Sequence, residues 1–180
     1  MDTVTQELIE AARAAPDGIE PLLEAVWPSA FRIAWGMLRD RGRAEDAAQE
    51  ACIAIVRGLP SLRNPRAFRG WAYRIVVNAA ISASRSVERT VGLDAAVTVG
   101  ATFDGTSVDL QRALGRLSVT QRAIVLLHYY AGLNSREIAQ AMSISPATIR
   151  FHLMRARSAL RDALGDGSAA SPQEVLSHGR

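Results

Sequence analysis

Residues 134–160 constrain this chain more than any other stretch, because they specify two short helices at a fixed separation. Asn134-Ser135-Arg136-Glu137 has the form of a capping box. Its Asn and, three residues on, its carboxylate can each satisfy a backbone N–H that the first helical turn leaves unpaired. Ile138, Ala139 and Met142 follow on one helical face. Ser143-Ile144-Ser145 interrupts the helix, and Pro146 restarts it where a missing N–H costs nothing. Ile149, Leu153, Ala156 and Leu160 recur at helical spacing, which predicts a second helix with a single buried stripe. Two capped helices around so short a turn form a helix-turn-helix.

With Ile149 turned inward, Ala147, Thr148, Phe151 and Arg155 project outward near the start of the second helix. That is where a DNA-reading helix meets base edges. Thr and Phe lie well against thymine methyls, and Arg forks onto guanine or holds a phosphate. A hairpin that only packs would leave Arg155 and Arg157 as solvated charges. A fully outward phenylalanine beside arginines fits that alternative poorly.

The net charge is only +3, but its distribution is uneven. The first thirty residues carry Asp2, Glu7, Glu10, Asp17, Glu20 and Glu24 against a single Arg13. Residues 57–89 hold seven arginines and one acid, Glu88. Residues 110–162 hold eight arginines against Glu137 and Asp162. Two separated basic blocks predict two contacts with a polyanion. Every basic residue is arginine, to which we attach no functional weight.

The single Cys52 rules out an internal disulfide and fits a reducing compartment. No apolar run approaches a membrane span, and the acidic start is no signal peptide, so a soluble cytoplasmic protein without membrane insertion is expected. His128, His152 and His178 have no metal-ligand spacing with Cys52, and no glycine-rich phosphate loop or nucleophile motif is present. No catalytic residue, metal or other cofactor is expected, and enzyme activity is the least favoured class.

Helical signals run through most of the chain. Residues 3–15 predict a short helix with Thr3 and Gln6 as its capping pair, and residues 19–38 a longer one kinked or restarted at Pro28. Residues 40–43 read as a turn, 44–59 as a helix, 61–65 as a loop and 66–85 as a further helix. Residues 86–108 are rich in Gly, Thr, Ala and Val without helical period, and predict a flexible linker. From 109, Leu110, Leu114 and Leu117 share a face, Ser118 and Gln121 form a second capping box, and Gly132 ends the next helix. Residues 165–180 predict a disordered tail. The expected fold is all-α: a domain over 1–85, the linker over 86–108, and a helix-turn-helix domain over 109–164.

Two surfaces of the first domain stand out. The helix from Ala44 has an apolar side of Ala47, Ala48, Ala51, Cys52, Ile55, Val56 and Leu59, opposite Asp46, Gln49, Glu50, Ile53 and Arg57. Ile53 amid charges suits either a protein partner or a stray exposed side chain. The helix after Pro65 buries Phe68, Ala72, Ile75 and Ala79, with Arg66, Tyr73, Arg74 and Arg85 off that stripe and Trp71 at its margin. Arginines interleaved with aromatic rings fit single-stranded nucleic acid, by stacking on bases and pairing with phosphates.

Taken together, these segments resemble bacterial sigma factors of the extracytoplasmic-function type. The motif Asp40-Arg-Gly-Arg-Ala-Glu-Asp-Ala-Ala-Gln-Glu50, then Phe68-Arg-Gly-Trp-Ala-Tyr-Arg-Ile75 with Asn78, resembles the second conserved sigma region. Leu117-Ser-Val-Thr-Gln-Arg122, Ala131-Gly-Leu-Asn-Ser-Arg-Glu-Ile-Ala139 and Ser145-Pro-Ala-Thr-Ile-Arg-Phe-His-Leu-Met-Arg-Ala-Arg157 resemble the fourth.

The resemblance implies core RNA polymerase (β′ clamp and β flap), promoter DNA and an anti-sigma factor as partners. It assigns Asp46, Gln49, Glu50, Ile53 and Arg57 to polymerase docking. Ser61, Leu62, Arg63 and Asn64 match the loop that holds an unpaired base, and Arg66, Trp71, Tyr73, Arg74 and Asn78 the reader of the −10 element. Ala147, Thr148, Arg150, Phe151, His152, Arg155 and Arg157 match the reader of the −35 element. Phe151 and His152 stand where small or basic residues are common, which implies an unusual −35 preference. A sigma mimic that only sequesters an anti-sigma factor would not need this outward basic helix. A LuxR-type regulator would need a ligand or receiver domain where the first sigma-like region lies.

Overall fold

The computed structural model describes residues 1, 3–91 and 108–164; the expected tail and most of the expected linker lie outside them. Among the described residues there are eight α-helices and no strand. They are α1 (Gln6–Ala14), α2 (Ile19–Leu38), α3 (Arg41–Gly58), α4 (Phe68–Val91), α5 (Val108–Gly115), α6 (Val119–Val125), α7 (Ser135–Met142) and α8 (Pro146–Leu164). The all-α expectation is met.

The first group is built on small residues. Ala44, Ala47, Ala48 and Ala51 of α3 are buried, and short side chains there let α2 and α4 pack close to the α3 backbone. Leu22, Val26, Ile33 and Met37 from α2 and Phe68, Ala72 and Val76 from α4 complete that core. In the second group α8 receives α5, α6 and α7. Leu110, Leu114 and Leu117, read as one face, pack there with Val125, Ala156 and Leu160.

The two groups also pack on each other. One apolar cluster runs from α2, α3 and α4 into Ile124, Leu126, Leu127, Ile138 and Ile149. A Cβ built on Gly36 of α2 would lie 2.7 Å from a Leu126 methyl, so the α2 backbone itself meets the second group.

Capping follows the sequence with two shifts. Asn134 Oδ1 accepts the Arg136 and Glu137 N–H groups at 2.9 and 3.1 Å, and Glu137 Oε2 accepts the Asn134 N–H at 2.7 Å. Ser118 and Gln121 form the other expected box. At the amino end Thr5, not Thr3, caps α1, because the Thr3 hydroxyl donates to the Ala25 carbonyl of α2. Residues 40–43 are not a turn: Asp40 accepts the Arg43 N–H at 2.9 Å and starts α3 at Arg41. The helix expected to close at 85 continues to Val91, and α2 runs through Pro28 unbroken.

The seam between the groups carries one unfavourable feature. Arg122 of α6 is buried, its Nε has no hydrogen-bond partner, and burial, with Arg39 second, pulls its guanidinium down to about 10. A cation whose folded value is depressed destabilises the fold at neutral pH, and that penalty fades only as pH rises through the folded value. A tenfold loss of proton affinity corresponds to about 1.4 kcal/mol, so the penalty is of order 1–3 kcal/mol. Arg122→Met keeps the volume and removes the charge. Thermal denaturation at pH 7 is expected to show a higher midpoint, by about 2–4 °C for each kcal/mol recovered. A lowered midpoint would mean the guanidinium is held by more than its surroundings reveal.

Candidate nucleic-acid interface

The turn of the helix-turn-helix is set by two serines. Ser143 ends α7 in the left-handed region (φ 57°, ψ 40°), and the Ile144 N–H bonds back to the Ala139 carbonyl at 3.1 Å. The pattern is a Schellman closure made without glycine. The Ser145 hydroxyl then accepts the Thr148 N–H at 3.1 Å and lies 2.8 Å from the Thr148 hydroxyl. It caps α8 and orients the threonine expected to read bases.

On α8, Ile149, Leu153, Ala156 and Leu160 are all buried, as their spacing requires. Ala147, Thr148, Arg150, Phe151, Arg155 and Arg157 are exposed. Phe151 is 50% exposed, with the Arg155 guanidinium 5.8 Å from its ring centroid and the His152 ring edge-on at 5.9 Å. His152 is half-buried with its Nδ1 covered and unpartnered, so it offers less surface than its neighbours.

Arg157 is committed to its own domain. Its Nε donates to the Tyr129 hydroxyl at 2.5 Å, and its guanidinium lies over the Tyr129 ring. His128 packs edge-on against Tyr129, with its Nδ1 2.9 Å from the Leu133 carbonyl. That carbonyl can only accept, so Nδ1 carries the proton and Nε2 is left to accept from Arg157 Nη2 at 3.4 Å. Sequence periodicity did not single out Met154, which is 60% exposed. It lines a basic hollow with Arg150, Arg157 and Arg161. The i, i+4, i+7 and i+11 spacing of these four residues carried the signal.

In the first group, Asp46, Gln49, Glu50, Ile53 and Arg57 all lie on the exposed side of α3, with Ile53 at 52%. Beside Ile53 runs a feature that sequence reading missed. A groove of about 960 Å³ is floored by Leu23, Trp27 and Cys52 and edged by Glu20 and Glu24. No single-helix period signals it, because its walls come from both α2 and α3; Trp27 at its floor stacks on Phe31, with ring centroids 6.3 Å apart. Cys52 is buried, and burial pushes its thiol up, which fits a packing role.

The loop after α3 is anchored rather than free. The Ser61 hydroxyl donates to the Gly58 carbonyl at 2.7 Å, and Asn64 Oδ1 accepts the Arg66 N–H at 3.0 Å. Arg63, Arg66, Arg74 and Asn78 are exposed, while Trp71 is half-buried against Phe68 and Gly58. Two candidates are corrected. Leu62 is buried and pins the loop to the core, and Tyr73, expected off the stripe, is 1% exposed. In this arrangement neither offers a surface to a base.

Two exposed arginine-bearing helices and an exposed, partly acidic face of α3 therefore sit on one chain, in a fixed order. Residues 22–90 match the model of sigma-70 region 2, and residues 107–160 match that of sigma-70 region 4. The chain belongs to the sigma-70 family. Among its relatives, an ECF RNA polymerase sigma factor SigM of Mycobacterium tuberculosis is 33% identical over 68% of this chain, which spans 64% of that relative's length. The ECF sigma factor SigW of Bacillus subtilis is 26% identical, covering 91% of this chain and 97% of its own. In fold, the chain is similar to the sigma factor RpoE of Bartonella quintana, solved with the anti-sigma factor NepR. The TM-score is 0.70 at 22% identity, over 83% of this chain and 98% of that one. It is also similar to CnrH, solved with the cytosolic domain of CnrY, at a TM-score of 0.64 and 19% identity, over 91% and 98% of the two chains. Among the described residues no helix is long and apolar enough to cross a membrane, and no group of side chains could hold a metal ion.

Proposed function

We propose that this sigma-70 family member is an extracytoplasmic-function sigma factor. It joins core RNA polymerase in the cytoplasm and directs it to promoters carrying its −10 and −35 elements. The observation that carries the reading is the pairing of region 2 and region 4, in that order, with an exposed basic reading helix in each. The exposed face of α3 is the polymerase contact, and the groove beside Ile53 extends it with apolar area rimmed by acids. Arg63, Asn64, Arg66, Trp71, Arg74 and Asn78 serve the −10 strand, and Thr148, Arg150, Phe151 and Arg155 the −35 duplex. An anti-sigma factor is the expected regulator, as with the sigma factor RpoE, solved with the anti-sigma factor NepR, whose fold this chain matches.

No covalent step is involved. Unstacking a base costs a few kcal/mol, and docking on polymerase together with capture of the freed base offsets it. Run-off transcription with purified core polymerase on sheared genomic DNA tests the proposal. Discrete transcripts that require this chain are expected. Their absence, with binding to an anti-sigma factor retained, would favour a mimic.

A further inference from the structure

The large apolar side chains most open to solvent among the described residues fall on two surfaces of opposite charge. Ile53 lines the groove between α2 and α3, whose rim carries Glu20 and Glu24. Phe151 and Met154 project from α8 among arginines. The Arg155 guanidinium lies over the Phe151 ring, and Met154 shares its hollow with Arg150, Arg157 and Arg161. Apolar area left in water is unfavourable, and a patch of it rimmed by charge marks a surface made to be covered. Both surfaces are open at once in one chain, so neither covers the other.

Their charges are unpaired too. Glu20, Glu24, Arg150 and Arg161 are exposed and make no hydrogen bond or ion pair among the described residues. They belong to the two extremes of the chain's charge. The first thirty residues hold six acids and one arginine, whereas residues 110–162 hold eight arginines and two acids. That acidic segment is also the part of the sequence that reading DNA leaves unused. Shape agrees with charge. The groove is concave, and α8 presents Phe151 and Met154 at i, i+3, the spacing by which a helix anchors in a groove. Glu20 and Glu24 stand one turn apart on α2, as Arg157 and Arg161 do on α8, so carboxylates and guanidinium groups match in spacing as well as in sign.

From this complementarity we propose that the groove takes α8 of a second copy of this chain, with Phe151 and Met154 entering over Leu23 and Trp27 and the arginines meeting Glu20 and Glu24. The contact joins two different surfaces, so it is head-to-tail, and copies linked this way form rings or chains. The contact stands apart from the proposed function, but its consequence rests on that reading. Each contact hides one polymerase-docking side and one −35 helix. Free protein is therefore held in reserve as its concentration rises, and polymerase or promoter DNA releases it by mass action on one of the two surfaces.

Sedimentation velocity of the full-length chain tests the contact. The wild-type sedimentation coefficient is expected to rise with protein concentration at about 0.1 M salt. It should fall back toward the monomer value at about 1 M, as the screening length drops from roughly 10 to 3 Å. Glu20→Arg/Glu24→Arg and Arg150→Glu/Arg161→Glu should each lose association, because like charges then face each other. An equimolar mixture of the two should regain it, since the unaltered α8 of the first meets the unaltered groove of the second. Recovery on mixing also shows that neither variant is misfolded. A −35 duplex that binds the wild-type chain should disperse the assembly. Wild-type protein that stays monomeric at every concentration would overturn the contact and leave the promoter assignment standing. Association that persists in either variant alone, or that fails to return on mixing, would overturn it as well. Duplex that binds the assembly without dispersing it would overturn the competition. Duplex that binds no form of the chain would remove the −35 assignment and the reserve role, while the mixture still decides the contact.

Discussion

Reversing the charge of Asp46 and Glu50 together is expected to weaken binding to core RNA polymerase by roughly tenfold or more, while the melting curve stays in place. Both side chains are exposed one helical turn apart on α3, with Ile53 next on the same side. Neither makes a hydrogen bond or ion pair within the described chain, so their loss removes no folding interaction. Surface substitutions of this kind usually change stability by less than about 0.5 kcal/mol. Across an interface, like-charge contact costs several kcal/mol, and about 1.4 kcal/mol is already tenfold. The effect should be larger at low salt, because exposed charges are screened beyond a Debye length. Unchanged affinity in the double variant, measured by fluorescence titration against core enzyme, would remove this side of α3 from the docking surface.

The second large effect separates packing from reading on α8. Ile149 is fully buried and Phe151, two residues on, is half exposed. Ile149→Ala is expected to cost about 2–5 kcal/mol, the usual range for emptying a packed core position. Phe151→Ser should leave the melting temperature within error. On the proposed −35 docking of α8 an aromatic edge at this position would lie against a thymine methyl, so the same substitution should relax preference at one −35 base pair by about 1 kcal/mol. Binding to a −35 duplex library measures both outcomes. Strong destabilisation by Phe151→Ser would show that its neighbours Arg155 and His152 form part of the fold. Preserved stability with unchanged base ranking would move Phe151 from the DNA contact to a protein contact.

These contrasts also show what the residues alone conveyed. The helix-turn-helix was legible because each of its signals is local: a capping box at 134–137, a proline restart at 146, and one stripe of four apolar positions. The α3 surface was legible for the same reason, since its alanines fall on one side and its acids on the other. The misread positions are those whose surroundings come from distant parts of the chain. Tyr73 looks peripheral on α4 alone, and is buried on a side where the second half packs. Leu62 reads as a loop residue but fills a core position. The groove beside Ile53 needs α2 and α3 side by side, which no single-helix period reveals. Thr3 and Thr5 are both plausible caps by type, and only the carbonyl of Ala25 decides between them.

The central claim is that one chain docks on polymerase and uses both reading helices to open a promoter. Permanganate footprinting of a duplex promoter selected by the run-off assay tests it most directly, since permanganate attacks unstacked thymines. With core polymerase and this protein, thymines at the −10 element are expected to become reactive while the −35 element is protected. Reactivity should vanish when either component is withheld, and should drop sharply in Arg66→Ala/Arg74→Ala, which removes two exposed arginines of the proposed −10 surface. Protection at −35 with no reactive thymines, under conditions where core polymerase is bound, would contradict the account and reduce this chain to a duplex-binding protein.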